Sequence, residues 1–249
     1  MSETGDPVIA YLEHARSLID KVLATQLSEI ERAGDLVAAA IAADALVHVF
    51  GSGHSHIFAE EFFYRAGGLA AIDPILHDEL MLHRSAVEST VLEREPGRGT
   101  AIFESLTVAP GDVLIVASNS GGNLVAIELA QAARAVGMPV IAMVSLAHAQ
   151  SVGSLHGGGG RLAQLADVVI DNGGTAGDAA VTVPGVPAPM GPTSTVVGAA
   201  IVNAIAMRAA AQAAAAGVEP GVFHSSNMAG GDAQNEELLA RYRPRVRSL

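Results

Sequence analysis

Apolar residues recur near the start of the chain at Ile9, Leu12, Leu18, Val22, Leu23, Leu27 and Ile30. That period of about 3.6 predicts amphipathic helix over residues 7–43. Asp6-Pro7 supplies the start signal, and Gly34-Asp35 predicts a break into two helices. From Leu46 onward the pattern changes to short, unbroken apolar runs separated by helical stretches. LVHVF (46–50) reads as a buried strand entering Gly51-Ser52-Gly53, with a helix following over His56–Ala66. Leu69–Ile72 reads as a second short strand, and the polar stretch 73–110 as helix and loop. DVLIVA (112–117) predicts a strand, residues 121–136 a helix, and VIAMV (140–144) the next strand. This strand–helix–strand spacing implies a parallel crossover with a right-handed connection.

Residues 148–161 are Gly-rich and read as a mobile loop. Asp167–Ile170 predicts another strand and Val181–Val183 one more. PGVPAPMGPTST then leads into a long helix over 194–216, and a short helix near Gln234–Tyr242 precedes the basic tail RYRPRVRSL. No internal repeat of solenoid length is present. A helical leader followed by alternating β and α elements predicts a three-layer αβα sandwich on a mostly parallel five-stranded sheet. The chain divides into a leader (1–34), an α/β domain (35–216) and a C-terminal extension (217–249).

Composition narrows the chemistry. Half of the 249 residues are hydrophobic and 16% are charged, which excludes a disordered chain. Aromatics are 4% and Trp is absent, so the core is aliphatic. With no cysteine, disulfides, thiol nucleophiles and iron–sulfur clusters are excluded. A net charge of −12 gives no electrostatic support to nucleic-acid or anionic-membrane binding. Lys21, the sole lysine, lies in the leader, so Schiff-base chemistry is set aside. The acidic start, MSETGDPVIA, lacks the apolar run of a secretory signal. The helix at 194–216 is interrupted by Asn203, Arg208 and Gln212, and reads as a buried or interface helix rather than a membrane span. A soluble, cytoplasmic protein is expected.

Two strands end in Gly/Ser loops that open helices. The first is Gly51-Ser52-Gly53-His54-Ser55-His56, and the second is Ser118-Asn119-Ser120-Gly121-Gly122-Asn123. Glycine permits close backbone approach, and free N–H groups at a helix start favour an anion. Serine hydroxyls add neutral donors suited to a phosphate ester. A lone loop of this kind would serve equally well as a tight turn with a cap. Two at separate strand ends point to phosphate or sugar phosphate, because ligands of such sheets bind beyond the carboxyl ends of the strands. The first loop lacks the third glycine of GxGxxG, and GxxxxGK[ST] is absent, so NAD and P-loop nucleotide binding are not expected.

These motifs resemble the SIS (sugar isomerase) domain family. GSGHS after a strand carries the likeness, together with SNSGGN set between DVLIVA and IELAQAARAVGMPVIAMVS. The second matches the family's SxSGxT signature and the helix and strand that follow it, and the likeness spans roughly residues 35–216. The first half, with Phe58-Ala59-Glu60-Glu61, resembles phosphoheptose isomerase, and N-acetylmuramic acid 6-phosphate etherase is a more distant likeness. As a whole the chain is most similar to SIS proteins of the sugar-isomerase-like kind. The resemblance implies phosphate-binding hydroxyls at Ser52, Ser55, Ser118 and Ser120, with Asn123 standing where the family has Thr or Ser. It places the catalytic glutamate at Glu61, with Glu60 the alternative, although the loop-to-glutamate spacing is about one helical turn short. Phosphoheptose isomerases also use a histidine on the last long helix, and helix 194–216 has none.

Isomerisation through an enediol needs a base beside a carbonyl and an acid for the oxygens, roles suited to Glu and His. His56 and Glu60 are spaced to share a helix face. His77, with Glu79 and His83, fits either an exposed helix or a lid supplying acid–base groups. His224, in VFHSSN, can return to this site or to a partner's, while mid-strand His48 reads as a satisfied core histidine. Thr193 and Ser194 either cap the long helix or add to the sugar-phosphate pocket. His54 and His56 have zinc-compatible chemistry, but their spacing does not share a helix face and no second ligand pair exists, so no metal or other cofactor is expected. The tail arginines 241, 243, 245 and 247 read as solvated or subunit-contacting. The expected ligand is a small-molecule sugar phosphate, turned over by isomerisation. Elimination of a sugar substituent and noncatalytic sensing are the rivals. Apolar faces on the leader and on helix 194–216 predict a homodimer or homotetramer, with the pocket near the subunit interface as the resemblance also implies. No nucleic-acid or membrane partner is expected.

Overall fold

The computed structural model describes residues 6–154 and 160–249. Five parallel strands form its central sheet: β1 (Val47–Gly51), β2 (Ile72–Ile75), β3 (Val113–Ala117), β4 (Val140–Val144) and β5 (Val168–Asp171). Their order is β2-β1-β3-β4-β5. Alternate residues face opposite layers: Val113 and Ile115 join one apolar cluster, while Leu114 and Val116 join the other. Covering both faces is what makes the strands read as unbroken apolar runs.

One layer holds α2 (Leu27–Ala42), α3 (Ile57–Phe62) and α8 (Ser194–Ala215), with α1 (Pro7–Thr25) against α8. The opposite layer contains α5 (Arg98–Glu104) and α6 (Leu124–Ala135), preceded by α4 (Leu82–Leu92). A short α7 (Leu146–Ser151) follows β4, and α9 (Gly231–Tyr242) closes the chain. By length and composition α8 could cross a membrane. Its Val197, Ile201, Val202 and Ile205 are buried in the core instead.

Several expectations are corrected. The first helix breaks at Gln26, and α2 runs straight through Gly34-Asp35. Those residues form a docking seam: a methyl on Gly34 would strike the Arg208 side chain of α8, whose guanidinium holds Asp35 at 2.8 and 3.2 Å. The helix break expected at Gly34-Asp35 is therefore absent, and α2 continues to Ala42. The helix expected over 56–66 ends at Phe62, where Phe63 turns extended and Tyr64 adopts φ +39°. Leu69 and Ala70 do not join the sheet. They pair with Gly221–Phe223 through an antiparallel bridge, and β2 begins at Ile72. Pro74 is tolerated there because β2 is an edge strand. The stretch 73–110 thus contains most of β2, beside its helices. In place of a strand at 181–183, a hairpin pairs β6 (Ala179–Val181) with β7 (Met190–Pro192) and is pinned by Tyr11 Oη donating to Pro192 O at 2.9 Å. The loop expected over 148–161 begins as helix α7, and its residues 155–159 lie outside the described ones.

His48 is the core histidine the sequence suggests. Its Nδ1 donates to Asp73 at 2.8 Å and its Nε2 to Asp112 at 3.1 Å, all three buried. Asp112 also accepts from the backbone N–H groups of Leu46 and Ala109. Burial alone would lower the imidazolium pKa, but the two carboxylates override it and raise it to about 9. Between pH 6.5 and about 9 the folded chain therefore binds a proton that the unfolded chain has lost, so stability falls as pH rises through that window. At 1.36 kcal/mol per pKa unit the loss is about 3 kcal/mol. Denaturant unfolding from pH 6 to 9.5 should show this decline, and His48→Gln should flatten it. An unchanged pH profile in the variant contradicts the assignment.

Candidate functional site

Parallel pairing sets Gly51 of β1 directly beside Ala117 of β3. From there β1 connects outward to β2 and β3 outward to β4, in opposite directions across the sheet. This is the switch point where parallel α/β sheets leave a crevice. Both Gly/Ser loops open into it.

The first loop is a turn of 3₁₀ helix over Gly53–His56, closed by Ser55 N–H on Ser52 O at 3.0 Å. Gly51 is obligatory, because an added methyl would collide with the Ser55 carbonyl group and lie 2.8 Å from the His56 nitrogen. In the second loop Gly121 sits at φ +58°, and its N–H bonds Ser118 O at 3.0 Å and Ser118 Oγ at 3.2 Å. Ser120 Oγ accepts from Gly122 N–H at 3.4 Å. Asn119 braces the loop, its Oδ1 accepting from Asn172 at 2.9 Å and its carbonyl from Ser145 N–H at 3.0 Å. Arg161 ties the far side, donating to Ser120 O at 3.2 Å and to Val152 O.

A cleft of about 500 Å³ results, lined by Ser52, Gly53, His54, Ser55, Ser118, Asn119, Ser120 and Asn123. Leu82, Ser89, Thr90, Glu93 and Arg94 form one wall, and His148, Val152 and Gly153 another. Glu93, just past the end of α4, is the residue sequence reasoning passed over. Ser52 Oγ donates to its Oε2 at 2.7 Å, and the Asn123 side chain bonds it from the second loop. Burial raises its pKa despite those bonds. The signal was slight: one of several acids in a polar stretch with no motif around it. His148 accepts from Gly177 N–H at 3.0 Å through Nδ1. The cleft thus combines neutral donors, a carboxyl disposed to hold a proton, two imidazoles and one guanidinium.

Other candidates lie elsewhere in the chain. Glu61 pairs with Arg65 and accepts from Asn203 of α8 at 2.8 Å, while Glu60 faces His56 at 3.8 Å. Thr193 and Ser194 open α8, where Asp178 caps both backbone N–H groups and takes the Ser194 hydroxyl at 2.5 Å. His77 faces a separate crevice beside tail residues 243–248. His224 is exposed, its backbone clasped by Asn235 at 2.8 and 2.9 Å. His54 lines the cleft, whereas His56 Nδ1 bonds the Gly53 carbonyl, so the two do not converge on one point.

A five-stranded parallel sheet with two serine-rich loops at its switch point defines an α/β domain with a polar-lined cleft at the carboxyl ends of its strands. The chain belongs to the SIS-domain family, which it matches over residues 10–145. It is 42% identical to a UPF0309 protein of Listeria monocytogenes serotype 4b, across 95% of this chain and 96% of that one. Among solved structures, a phosphoheptose isomerase from Francisella tularensis is similar with a TM-score of 0.54, at 15% identity over 81% of this chain and 95% of its own. The Vibrio vulnificus NanR protein complexed with ManNAc-6P is similar with a TM-score of 0.50, at 17% identity over 98% of this chain and 71% of its own. At these identities the structures share the fold.

Because the atoms that Gly51 would meet are backbone, Gly51→Ala should cost about 2–3 kcal/mol, in the range of core overpacking. Denaturant unfolding measures it, and a change below about 0.5 kcal/mol, as for a surface substitution, means the loop is not close-packed as described.

Proposed function

We propose that the cleft binds a phosphorylated sugar or amino sugar, with the phosphate between the Ser52–Ser55 and Ser118–Asn123 loops. The observation that carries this reading is the convergence of two serine loops at the switch point around a half-buried carboxyl group. The solved neighbours support it, since the NanR structure holds ManNAc-6P and the Francisella protein is described as a phosphoheptose isomerase.

The reaction we infer is aldose–ketose isomerisation. Glu93 can hold a proton for the ring oxygen as the sugar opens. Once ionised, it can take the proton from the carbon beside the carbonyl and return it to the neighbouring carbon of the enediol. His54 and His148 are placed to serve the hydroxyl oxygens. Glu61 and Glu60, the glutamates implied by resemblance, would act only if an assembly carried α3 to a neighbour's cleft. Such an assembly, a homodimer or homotetramer, has support in the outer face of α1, where Val8, Leu12 and Leu23 are each more than 60% exposed. A light-scattering mass of one chain would exclude it. Noncatalytic sensing is the second reading, favoured by the lack of a histidine along α8.

A thermal-shift panel of sugar phosphates with unphosphorylated controls tests the reading. A ligand at 100 times its Kd should stabilise the fold by about 2.7 kcal/mol, and Ser118→Ala should reduce that effect. Stabilisation by plain sugars as strong as by their phosphates sinks phosphate recognition. For the identified ligand, Glu93→Gln should lower turnover by about 10²–10⁴-fold, the usual contribution of an acid–base group. Absence of turnover in the unmodified protein favours the sensor.

A further inference from the structure

Ser52 has one hydroxyl proton, and it already points to Glu93 Oε2 at 2.7 Å. The side chain of Asn123 bonds the same carboxyl group from the opposite loop. Glu93 thus occupies donors from both loops that frame the cleft, as a bound anion would.

We propose that Glu93 is a resident competitor for the anion, so that the ligand's phosphate enters this cleft together with a proton taken up by the protein. The inference rests on the phosphate-binding reading of the cleft. A carboxylate and an anionic ligand cannot both receive the Ser52 proton, and two negative charges this close disfavour each other's ionisation. Protonated, Glu93 becomes a donor itself and releases Ser52 toward the ligand. Partial burial already disposes it to carry that proton. Other titratable or charged groups face the same space: His54 from the first loop, His148 from α7, and Arg94 beside Glu93. Arginine keeps its charge, but either histidine could also take up a proton as an anion binds, so the test must separate them from Glu93.

Sulfate is the probe, because its charge is constant over the working range and any pH dependence belongs to the protein. Calorimetric titration of the full chain with sodium sulfate, in two buffers of different ionisation enthalpy, counts the protons taken up. The unmodified protein should take up protons on binding, and its affinity should fall by as much as about tenfold per pH unit above the Glu93 titration. Glu93→Gln keeps the shape and the acceptor oxygen. It should bind sulfate at least as tightly at pH 8, with lower proton uptake and a flatter pH profile. His54→Gln and His148→Gln should leave the Glu93-linked uptake in place. Ser52→Ala, which removes the contested donor, should weaken binding at every pH. Unchanged proton uptake in Glu93→Gln overturns the proposal and assigns the proton to the histidines. Sulfate binding that survives Ser52→Ala and Ser118→Ala together fails differently: it locates the anion outside the cleft and removes the reading on which the proposal stands.

Discussion

The site depends on one constraint, the side-by-side parallel pairing of β1 with β3. Their register ends with Gly51 against Ala117, so each loop begins where the other does. Sequence separation would otherwise leave residues 51–56 and 118–123 unrelated. Because β1 and β3 connect away from each other, the sheet leaves a crevice at their carboxyl ends, walled on one side by α4. The glycines then let the loops turn tightly enough for their hydroxyls to share one small volume.

The same pairing is reinforced beneath the site. His48 lies between Asp73 on β2 and Asp112 at the entry to β3, joining three neighbouring segments through two charge-assisted hydrogen bonds. Asp112 extends the brace to Leu46 and Ala109. A buried cation between two anions is costly to break by removing one partner, which ties the strand register to the ionisation of this cluster. At the other end of the strands the second loop is held by neutral contacts among Asn119, Asn172 and Ser145 and by the Arg161 guanidinium on the Ser120 carbonyl, while Glu93 and Arg94 line the cleft itself.

The strands around the site were legible because both their faces are buried, and LVHVF, DVLIVA and VIAMV need no knowledge of partners to be read. The two serine loops were legible for a related reason: glycine and serine at a strand end carry local chemistry. What failed depends on distant packing. Gly34 looks like a helix breaker until Arg208 is seen filling its place. Leu69 and Ala70 look like a sheet strand until Gly221–Phe223 pairs with them. Glu93 gave no local sign because its role comes from Ser52 and Asn123, 41 and 30 positions away in the chain. Conversely, Glu60 and Glu61 stood out by resemblance and position after the first loop, yet α3 turns them toward His56, Arg65 and Asn203.

The most direct test is a crystal structure of the protein with a hexose 6-phosphate bound. The account predicts a phosphate group within hydrogen-bond distance of Ser52 or Ser55 on one side and of Ser118 or Ser120 on the other, with the sugar extending toward Glu93. A phosphate held elsewhere, for instance by Arg243 and Arg247 in the crevice beside the tail, with both serine loops untouched, would contradict it.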